Sequence, residues 1–545
     1  MQGITAVAKI LKMEGVDFIS GFPQNPVFEA GAKEGIRPII SRNERVGVGI
    51  ADGFTRASLG NRTGVAAVQN GPGAENAFSG VAQAFSESVP LLFLPGGVPR
   101  RRLSPPSFIS SKSFHEITKW ADMINFADRV PEMMRRAFTN LRTGRPGPVL
   151  LEMPVDVATE EFPDAMFNYR PVKATKTAGD PADVKAVVKA LIAAKSPVVR
   201  AGQGVLWANA WDELREFAEL LQIPVFTTMN GKSAFPENHP LSLGTGGRTR
   251  PKMVMHFLTR ADLVFAIGSS CTKENFTTPI PDGKAVIQST IDERDLAKDY
   301  PLEHAIVGDA KLVLQQLIDE IKVQLGPKGR KGNDAVAKEV KAVKDDWLKE
   351  WMPKLTSDET PINPYRLIWD MRQVLDSKET IITHDAGYPR DALVPFWECQ
   401  APGGYTGWGK TTTLGGSLGF TMGAKLAQPG KTAVGFLGNA AFGMGGMDFE
   451  TAVRERIPII MVLMNNSLLG GYGRTHPVAS ERFSLNRQTG EYAGLAQCLG
   501  GHAEKVERPQ DIIPALRRAK KANESGQPAL LEVITREELN LSLYV

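Results

Sequence analysis

Two apolar runs, each ending in a short polar or glycine-rich turn, constrain the fold of this chain more than any other feature. Residues 432–437 lead into Gly438, Asn439 and a small-residue loop, and residues 457–464 lead into Asn465 and Asn466. A helical segment, 447–455, separates the two runs, so the order is strand, loop, helix, strand. The two strands of such a unit are parallel neighbours. Asn439 and Asn466 are therefore expected at one sheet edge, where their carboxamide oxygens can bind one cation.

This pattern resembles the thiamine diphosphate motif, in which Gly-Asp-Gly precedes Asn-Asn at this spacing. The resemblance implies Mg²⁺ held by Asn439, Asn466 and the carbonyl of Leu468. It also implies cofactor contacts from a set of neighbouring residues: Gly438, Ala440, Ala441 and Leu469. The family's aspartate is Asn439 here and its second glycine is Ala440, so the site loses a formal charge. The alternative interpretation of this motif is an ordinary strand–helix–strand crossover with polar strand ends. The alternative for the whole protein is a non-catalytic homologue that binds a nucleotide or a partner.

Further β-rich runs alternate with helical segments along the whole chain. A chain of 545 residues is too long for a single core, and the alternation predicts an α/β protein with three doubly wound parallel sheets. The predicted segments are 1–165, 180–325, a linker with a solvated helix (326–358) and 359–545; the resemblance implies that the three domains are a pyrimidine-binding, a central and a diphosphate-binding domain, in this order. The strands predicted inside the first two domains are 18–19, 38–40, 64–68, 90–94, 148–152, 197–200, 224–226, 263–267 and 285–287.

Charge and cysteine content exclude several classes of protein. The net charge is only +4 from 64 basic and 60 acidic side chains, which argues against nucleic acid as a partner. Three widely separated cysteines argue against a disulfide framework or a zinc site. The first residues enter a helical pattern directly, and no uncharged apolar run reaches about 18 residues. A cytoplasmic protein without a membrane partner is expected.

Glu44 is the strongest candidate for a catalytic residue. It follows the predicted strand 38–40 and precedes a helix of small residues, 46–58. In the resembled family a glutamate at this corner hydrogen-bonds N1′ of the aminopyrimidine, and a carboxyl group in a water-poor cleft can share a proton there. A surface glutamate at a helix start is the alternative. The loop that contains Pro72 and Asn76 resembles the family's Gly-Pro-Gly turn beside the cofactor.

Other site residues are also implied by the resemblance. Gly387 belongs to a strand end where the family binds the diphosphate. The carbonyl of Gly416 is expected to accept a hydrogen bond from the 4′-amino group, and Leu418 is expected to hold the cofactor in its V shape. Three further catalytic candidates occupy positions where relatives contact substrate: His115, Glu116 and Tyr472. Each of these three could equally be a surface or packing residue.

The resemblance implies a thiamine diphosphate- and Mg²⁺-dependent enzyme that makes or breaks a C–C bond, at least dimeric (homodimer or homotetramer), with each site between two subunits. The motif around Gly387 looks most like a 2-hydroxyacyl-CoA lyase, which gives formyl-CoA and an aldehyde or ketone. The basic residues Arg248, Arg250 and Lys252 could then meet coenzyme A. The alternatives are an acetolactate synthase-like carboligase acting on pyruvate without FAD, and a 2-oxoacid or oxalyl-CoA decarboxylase. FAD is expected to be absent, because the flavin-contacting loops do not match.

Overall fold

The protein contains three sheets, and every strand pairing within them is parallel; the computed structural model describes residues 1–544. The strands of the first sheet are β1 (Phe18–Phe22), β2 (Arg37–Ile40), β3 (Gly64–Val68), β4 (Leu91–Gly97), β5 (Trp120–Met123) and β6 (Val149–Pro154). Those of the second are β7 (Pro197–Ala201), β8 (Val225–Thr228), β9 (Ser242–Gly246), β10 (Leu263–Ile267), β11 (Ala285–Thr290) and β12 (His304–Val307). Those of the third are β13 (Thr380–His384), β14 (Thr432–Gly438), β15 (Ile460–Asn465), β16 (His502–Val506) and β17 (Ala529–Ile534).

The strand orders are β2-β1-β3-β4-β6-β5, β12-β11-β10-β7-β8-β9 and β13-β14-β15-β17-β16. Helices connect the strands and cover the sheets, as parallel sheets require. The predicted fold class is therefore confirmed. The domain boundaries given above remain predictions.

The helices of the first part of the chain are α1 (Gly3–Met13), α2 (Pro26–Lys33), α3 (Glu44–Ala57), α4 (Pro72–Ser86), α5 (Ser110–Ser113), α6 (Val130–Arg142) and α7 (Val155–Thr159). Those around the second sheet are α8 (Pro181–Ala193), α9 (Gly204–Trp207), α10 (Trp211–Leu221), α11 (Lys252–Arg260) and α12 (Ala310–Leu325), followed by α13 (Ala335–Leu355). The remainder are α14 (Pro364–Val374), α15 (Tyr388–Phe396), α16 (Ser417–Ala427), α17 (Asn439–Gly445), α18 (Phe449–Arg454), α19 (Tyr472–Thr475), α20 (Pro477–Phe483), α21 (Tyr492–Cys498) and α22 (Ile512–Glu524). Within the described residues, no helix combines the length and the apolar character needed to cross a membrane.

Helix α3 of the first sheet and α16 of the third pack with their backbones in direct contact. A Cβ atom added to Gly53 would lie 2.3 Å from the carbonyl oxygen of Phe420, and one added to Gly423 would lie 2.1 Å from that of Ile50. Only glycine permits two helices to approach this closely. The two sheets that carry the candidate site residues are therefore joined by a rigid helix pair.

Helix α13 differs from the solvated helix predicted in the linker. Trp347 and Trp351 are buried on one face, where Trp347 stacks on Phe396 with ring centroids 4.9 Å apart. Trp351 packs edge-on against Tyr365. The many lysines and acids of this segment occupy the other face, so only that face is solvated. The helix buries its apolar stripe against the third sheet's helices, which fixes the second and third sheets to each other.

Replacement of Gly53 by alanine is expected to lower the free energy of unfolding by about 3 kcal/mol, because the new methyl group meets backbone atoms that cannot move aside. Thermal unfolding of Gly53→Ala against the parent protein measures this effect. The control is Gly494→Ala in α21, where nothing lies within 4 Å and alanine is favoured over glycine in a helix by up to about 1 kcal/mol. Equal melting temperatures for Gly53→Ala and the parent would contradict the close packing of α3 on α16.

Candidate active site

The ends of β14 and β15 bring two of the predicted metal ligands to one edge of the third sheet. The strands are neighbours, with Gly438 opposite Met464. Asn439 follows as the first residue of α17, and Asn466 follows the last residue of β15. We call this side the carboxyl edge, because the carboxyl ends of the parallel strands meet there. Asn439 is 3% exposed, so its side chain lies inside the edge and does not face solvent.

Hydrogen bonds orient the side chains at this edge. The Nδ2 of Asn439 donates to Oε1 of Gln488 at 2.7 Å, which leaves its Oδ1 as the atom that can face a cation. The Oδ1 of Asn466 accepts the amide of Leu468 at 3.0 Å, so the chain turns sharply at the third predicted ligand. The amide of Leu469 donates to the carbonyl of Asn486 at 2.7 Å. These bonds fold residues 466–488 back over the carboxyl edge.

The oxygen donors gathered here suit a hard divalent cation. Among the described residues, no group of three His, Cys, Asp or Glu side chains could hold a metal ion. The predicted set of two carboxamides and one carbonyl is neutral, so a phosphate group would have to supply the negative charge. Ala440 and Ala441 form the first turn of α17 beside Asn439 and present backbone amides at the same edge.

Asp385, which the sequence analysis did not single out, organises the loop before α16. It follows β13, is fully buried, and accepts amide hydrogen bonds from Gly415 at 2.8 Å and Ser417 at 3.0 Å. Burial raises the pKa of Asp385 above its ordinary value, and the amide donors act in the opposite direction. The loop held by Asp385 contains Gly416 and leads directly to Leu418. Leu418 lies in the first turn of α16, is 3% exposed and packs in the core that α16 shares with α3.

The backbone at Gly387 is not covered by side chains, and it lies close to the loop that Asp385 holds. Its φ is +81°, a conformation that favours glycine, and nothing lies within 4 Å of the position that a Cβ would take. It precedes α15 at the carboxyl edge. A phosphate could approach this backbone without meeting a side chain.

Glu44 lies at the carboxyl edge of the first sheet. Asn43 caps α3 by accepting the amide of Arg45 at 2.9 Å, and Glu44 is the first residue of the helix, only 5% exposed. One oxygen of Glu44 accepts a 3.2 Å hydrogen bond from the Nδ2 of Asn76. Asn76 lies in the first turns of α4, which begins at Pro72. The structure therefore brings Glu44 next to the helix start that was predicted to lie beside the cofactor.

The other three catalytic candidates are solvent-exposed in the single chain. The side chains of His115 and Glu116 are 75% and 94% exposed and contact each other, with Nδ1 to Oε1 at 3.2 Å. Tyr472 is 41% exposed and packs against His476, with ring centroids 5.2 Å apart. Their catalytic roles stay predictions.

Asp448 ties the first and third sheets together next to these groups. Its Oδ1 accepts the amide of Arg42 at 2.7 Å and the hydroxyl of Thr451 at 2.8 Å. Arg42 also pairs with Glu450 at 2.8 Å. Burial raises the pKa of Asp448 to about 6. The short segment that carries Glu44 is thus attached to the turn that follows the predicted metal motif.

A cavity of about 320 Å³ lies where segments of all three sheets meet. Its lining includes the glycine-rich loop that follows β7, with Gly202 and Gly204, and also Ser88, Asn230 and Lys410. A Cβ on Gly204 would lie 2.7 Å from the Cα of Gly268, so these glycines also serve the close approach of two loops.

Each of the three basic residues predicted to meet coenzyme A has a partner within the chain, and their contact with coenzyme A stays a prediction. Arg250 is buried and donates to the carbonyl of Tyr544 in the C-terminal tail at 2.9 Å. Lys252 pairs with Asp346, and Arg248 lies 3.6 Å from Asp391. The sequence pattern could not reveal these partners, because they are distant along the chain.

The chain is similar to known proteins along nearly its whole length. Three family models match: the thiamine pyrophosphate enzyme N-terminal TPP binding domain at residues 1–123, the central domain at 184–317 and the C-terminal TPP binding domain at 385–533. A probable acetolactate synthase large subunit of Methanocaldococcus jannaschii is 31% identical, over 98% of this chain and 92% of its own length. A glyoxylate carboligase of Escherichia coli is 28% identical, over 100% and 94%. The acetolactate synthase isozyme 3 large subunit of Escherichia coli is 26% identical, over 95% and 92%.

Asp448→Asn is expected to make the protein more stable at pH 8, by on the order of 2 kcal/mol. Because the pKa in the folded state is raised to about 6 from 3.8, the stabilisation from protonated Asp448 is complete below pH 3.8 and is lost as the pH rises through 6. Asparagine keeps an oxygen acceptor for Arg42 and carries no charge. Melting temperatures between pH 5 and pH 8 measure the gain.

The control for this experiment is Asp212→Asn, which removes a carboxylate whose side chain is 65% exposed. Its melting temperature should follow that of the parent across the pH range, since exposed charges contribute little. A gain in Asp448→Asn that does not grow with pH would show that Asp448 is not charged at pH 8 in the folded protein.

Proposed function

This chain belongs to the thiamine pyrophosphate enzyme family, and we propose that within it the protein is an acetolactate synthase-like carboligase that acts on pyruvate. The observation that carries the proposal is the similarity over nearly the whole chain to proteins named acetolactate synthase and glyoxylate carboligase. The buried Glu44 at the edge of the first sheet supports the thiamine diphosphate chemistry, because the family resemblance implies a glutamate at that point.

The residues at the two carboxyl edges fit thiamine diphosphate. We propose that Asn439, Asn466 and the carbonyl of Leu468 hold Mg²⁺, while the open backbone at Gly387 and Gly438 faces the diphosphate. When bound, the cofactor supplies a nucleophilic carbon and an electron sink for the acyl group. Further contacts are proposed from Pro72, Asn76, Gly416, Leu418, Ala440, Ala441 and Leu469.

Glu44 is proposed to hold and move a proton at N1′ of the aminopyrimidine. Its carboxyl group is buried and accepts one hydrogen bond, from Asn76, so it retains capacity to bond a ring nitrogen. Glu44 is the first residue of α3 and is only 5% exposed, so little water reaches its carboxyl group. His115, Glu116 and Tyr472 are proposed as substrate contacts that become enclosed when a second copy of the chain covers them.

A homodimer or homotetramer is proposed, because a second copy of the chain would cover these three exposed residues. Exposed apolar side chains lie on α4 and near α17, including Phe78, Phe85, Met444 and Met447, each between 40% and 53% exposed. A surface of this kind is suited to burial in an interface. The family resemblance implies that the first sheet of one copy then faces the third sheet of the other.

The 2-hydroxyacyl-CoA lyase interpretation has less support than the carboligase. Its motif around Gly387 is present, but Arg250 and Lys252 are engaged within the chain. The relatives reported above carry carboligase or synthase names. The decarboxylase and non-catalytic alternatives have no further observation in their favour. The absence of FAD stays a prediction, which the visible absorption of the purified protein would test.

Purified protein with thiamine diphosphate and Mg²⁺ is expected to convert pyruvate into acetolactate and CO₂, detected by mass spectrometry. A parallel tube with 2-hydroxyisobutyryl-CoA tests the lyase alternative, for which formyl-CoA and acetone are the products. Acetone in the second tube together with no acetolactate in the first would overturn the carboligase proposal. Pyruvate combined with glyoxylate in a third tube would reveal a different acceptor.

Glu44→Gln is expected to lower kcat at least about 100-fold, because glutamine cannot accept or release a proton at N1′. Glu29→Gln is the matched control: it also lies in the first turn of an asparagine-capped helix of the first sheet, and it is exposed. Steady-state kinetics and circular dichroism of both variants separate loss of chemistry from loss of fold. Unchanged kcat in Glu44→Gln would exclude the proposed role.

A further inference from the structure

Glu87 is a fully buried carboxylate at which segments of all three sheets meet. It caps the C-terminal end of α4 and has 0% exposure. Its Oε1 accepts the backbone amides of Lys410 at 2.7 Å and Thr411 at 2.9 Å. Its Oε2 accepts the amide of Gly409 at 3.3 Å and the side-chain amide of Asn230.

Three successive backbone amides on one carboxylate determine the path of residues 409–411. A buried charge is tolerated only when hydrogen bonds replace those it would make with water. Here the donors are the backbone amides of residues 409–411, which precede α16, and the side chain of Asn230, which follows β8 of the second sheet. Conversely, removal of Glu87 would leave those amides without an acceptor. The position of this segment therefore depends on a residue of the first sheet.

Residues 409–418 run between two buried carboxylates. Glu87 holds the beginning, and Asp385 holds the end through the amides of Gly415 and Ser417. Between them, a guanidinium nitrogen of Arg45, the residue after Glu44, donates to the carbonyl of Leu414. Two residues proposed to contact the cofactor, Gly416 and Leu418, lie in the part held by Asp385.

We propose that Glu87 is a positioning residue that fixes the loop 409–418 in the shape that binds thiamine diphosphate. Glu87 acts through the backbone of the loop and contacts no reacting atom. Its replacement should therefore weaken cofactor binding and leave the chemistry at saturating cofactor nearly unchanged. The inference rests on the proposed cofactor site of the third sheet and is independent of the choice of pyruvate as substrate.

The test combines cofactor titration with hydrogen exchange. In Glu87→Ala, the dissociation constant for thiamine diphosphate with Mg²⁺, measured by calorimetry, should increase about 10- to 100-fold, as expected for lost hydrogen bonds to a charged group. In the same variant without cofactor, amide exchange of residues 414–418 should accelerate at least about 10-fold, although the amides of Gly415 and Ser417 bond to Asp385. A purely local role would accelerate only residues 409–411.

Two variants accompany Glu87→Ala. Glu34→Ala is the matched control, since it also removes a glutamate that caps the C-terminal end of a first-sheet helix, and it should change neither quantity. Glu87→Gln should have an effect of about 3-fold on both, because Asn230 can turn its amide oxygen toward the new NH₂ group. If Glu87→Ala does not fold, Glu87→Gln decides the question alone.

Unchanged exchange at residues 414–418 in the folded variants would overturn the positioning role, whatever happens to 409–411. Accelerated exchange there with an unchanged dissociation constant would also overturn it, since the loop would then move without affecting the cofactor. If the parent protein binds no thiamine diphosphate, the proposed function fails, and the exchange measurement still decides whether Glu87 sets the loop's conformation.

Discussion

The contact between the backbones of α3 and α16 is the constraint on which the rest of the structure depends. Glycines in both helices allow the carbonyl groups of one to touch the other, so the first and third sheets cannot slide independently. Two of the residues proposed for the cofactor lie at the N-terminal ends of these helices. Glu44 starts α3, and Gly416 precedes α16.

Buried carboxylates have two distinct uses in this protein. Asp385 and Glu87 accept several backbone amides each, which makes them anchors for chain segments. Glu532, fully buried, likewise accepts bonds from Asn465 and from the amide of Ala493. Glu44 is different, because among residues 1–544 its carboxylate accepts a hydrogen bond of 3.2 Å from Asn76 alone. A buried acid with spare bonding capacity at a sheet edge is suited to bind a ligand, whereas a saturated acid is suited to hold structure.

Sequence patterns revealed the interior of each sheet and missed most of the edge strands. The predicted apolar runs correspond to interior strands such as β3, β10 and β14, which are buried on both faces. Four strands were not predicted, β5, β9, β12 and β16, and all four lie at sheet edges, where one side needs no apolar residues. The same limit applies to the site. Asn439, Asn466 and Glu44 follow recognisable strands, whereas Gln488, Glu87 and the partners of Arg250 depend on contacts between distant residues that leave no local pattern.

The packing of α3 against α16 also has a consequence for synthesis on the ribosome. Arg45 and its partner Leu414 are separated by 369 positions, and at about 5–20 residues per second this separation corresponds to tens of seconds of translation. During that interval the newly made first sheet exposes a glycine-lined helix face that only the last third of the chain can cover. The nascent protein must therefore remain soluble while this face of α3 is uncovered. A chain that ends before residue 427 lacks the complete α16, so the face of α3 stays exposed.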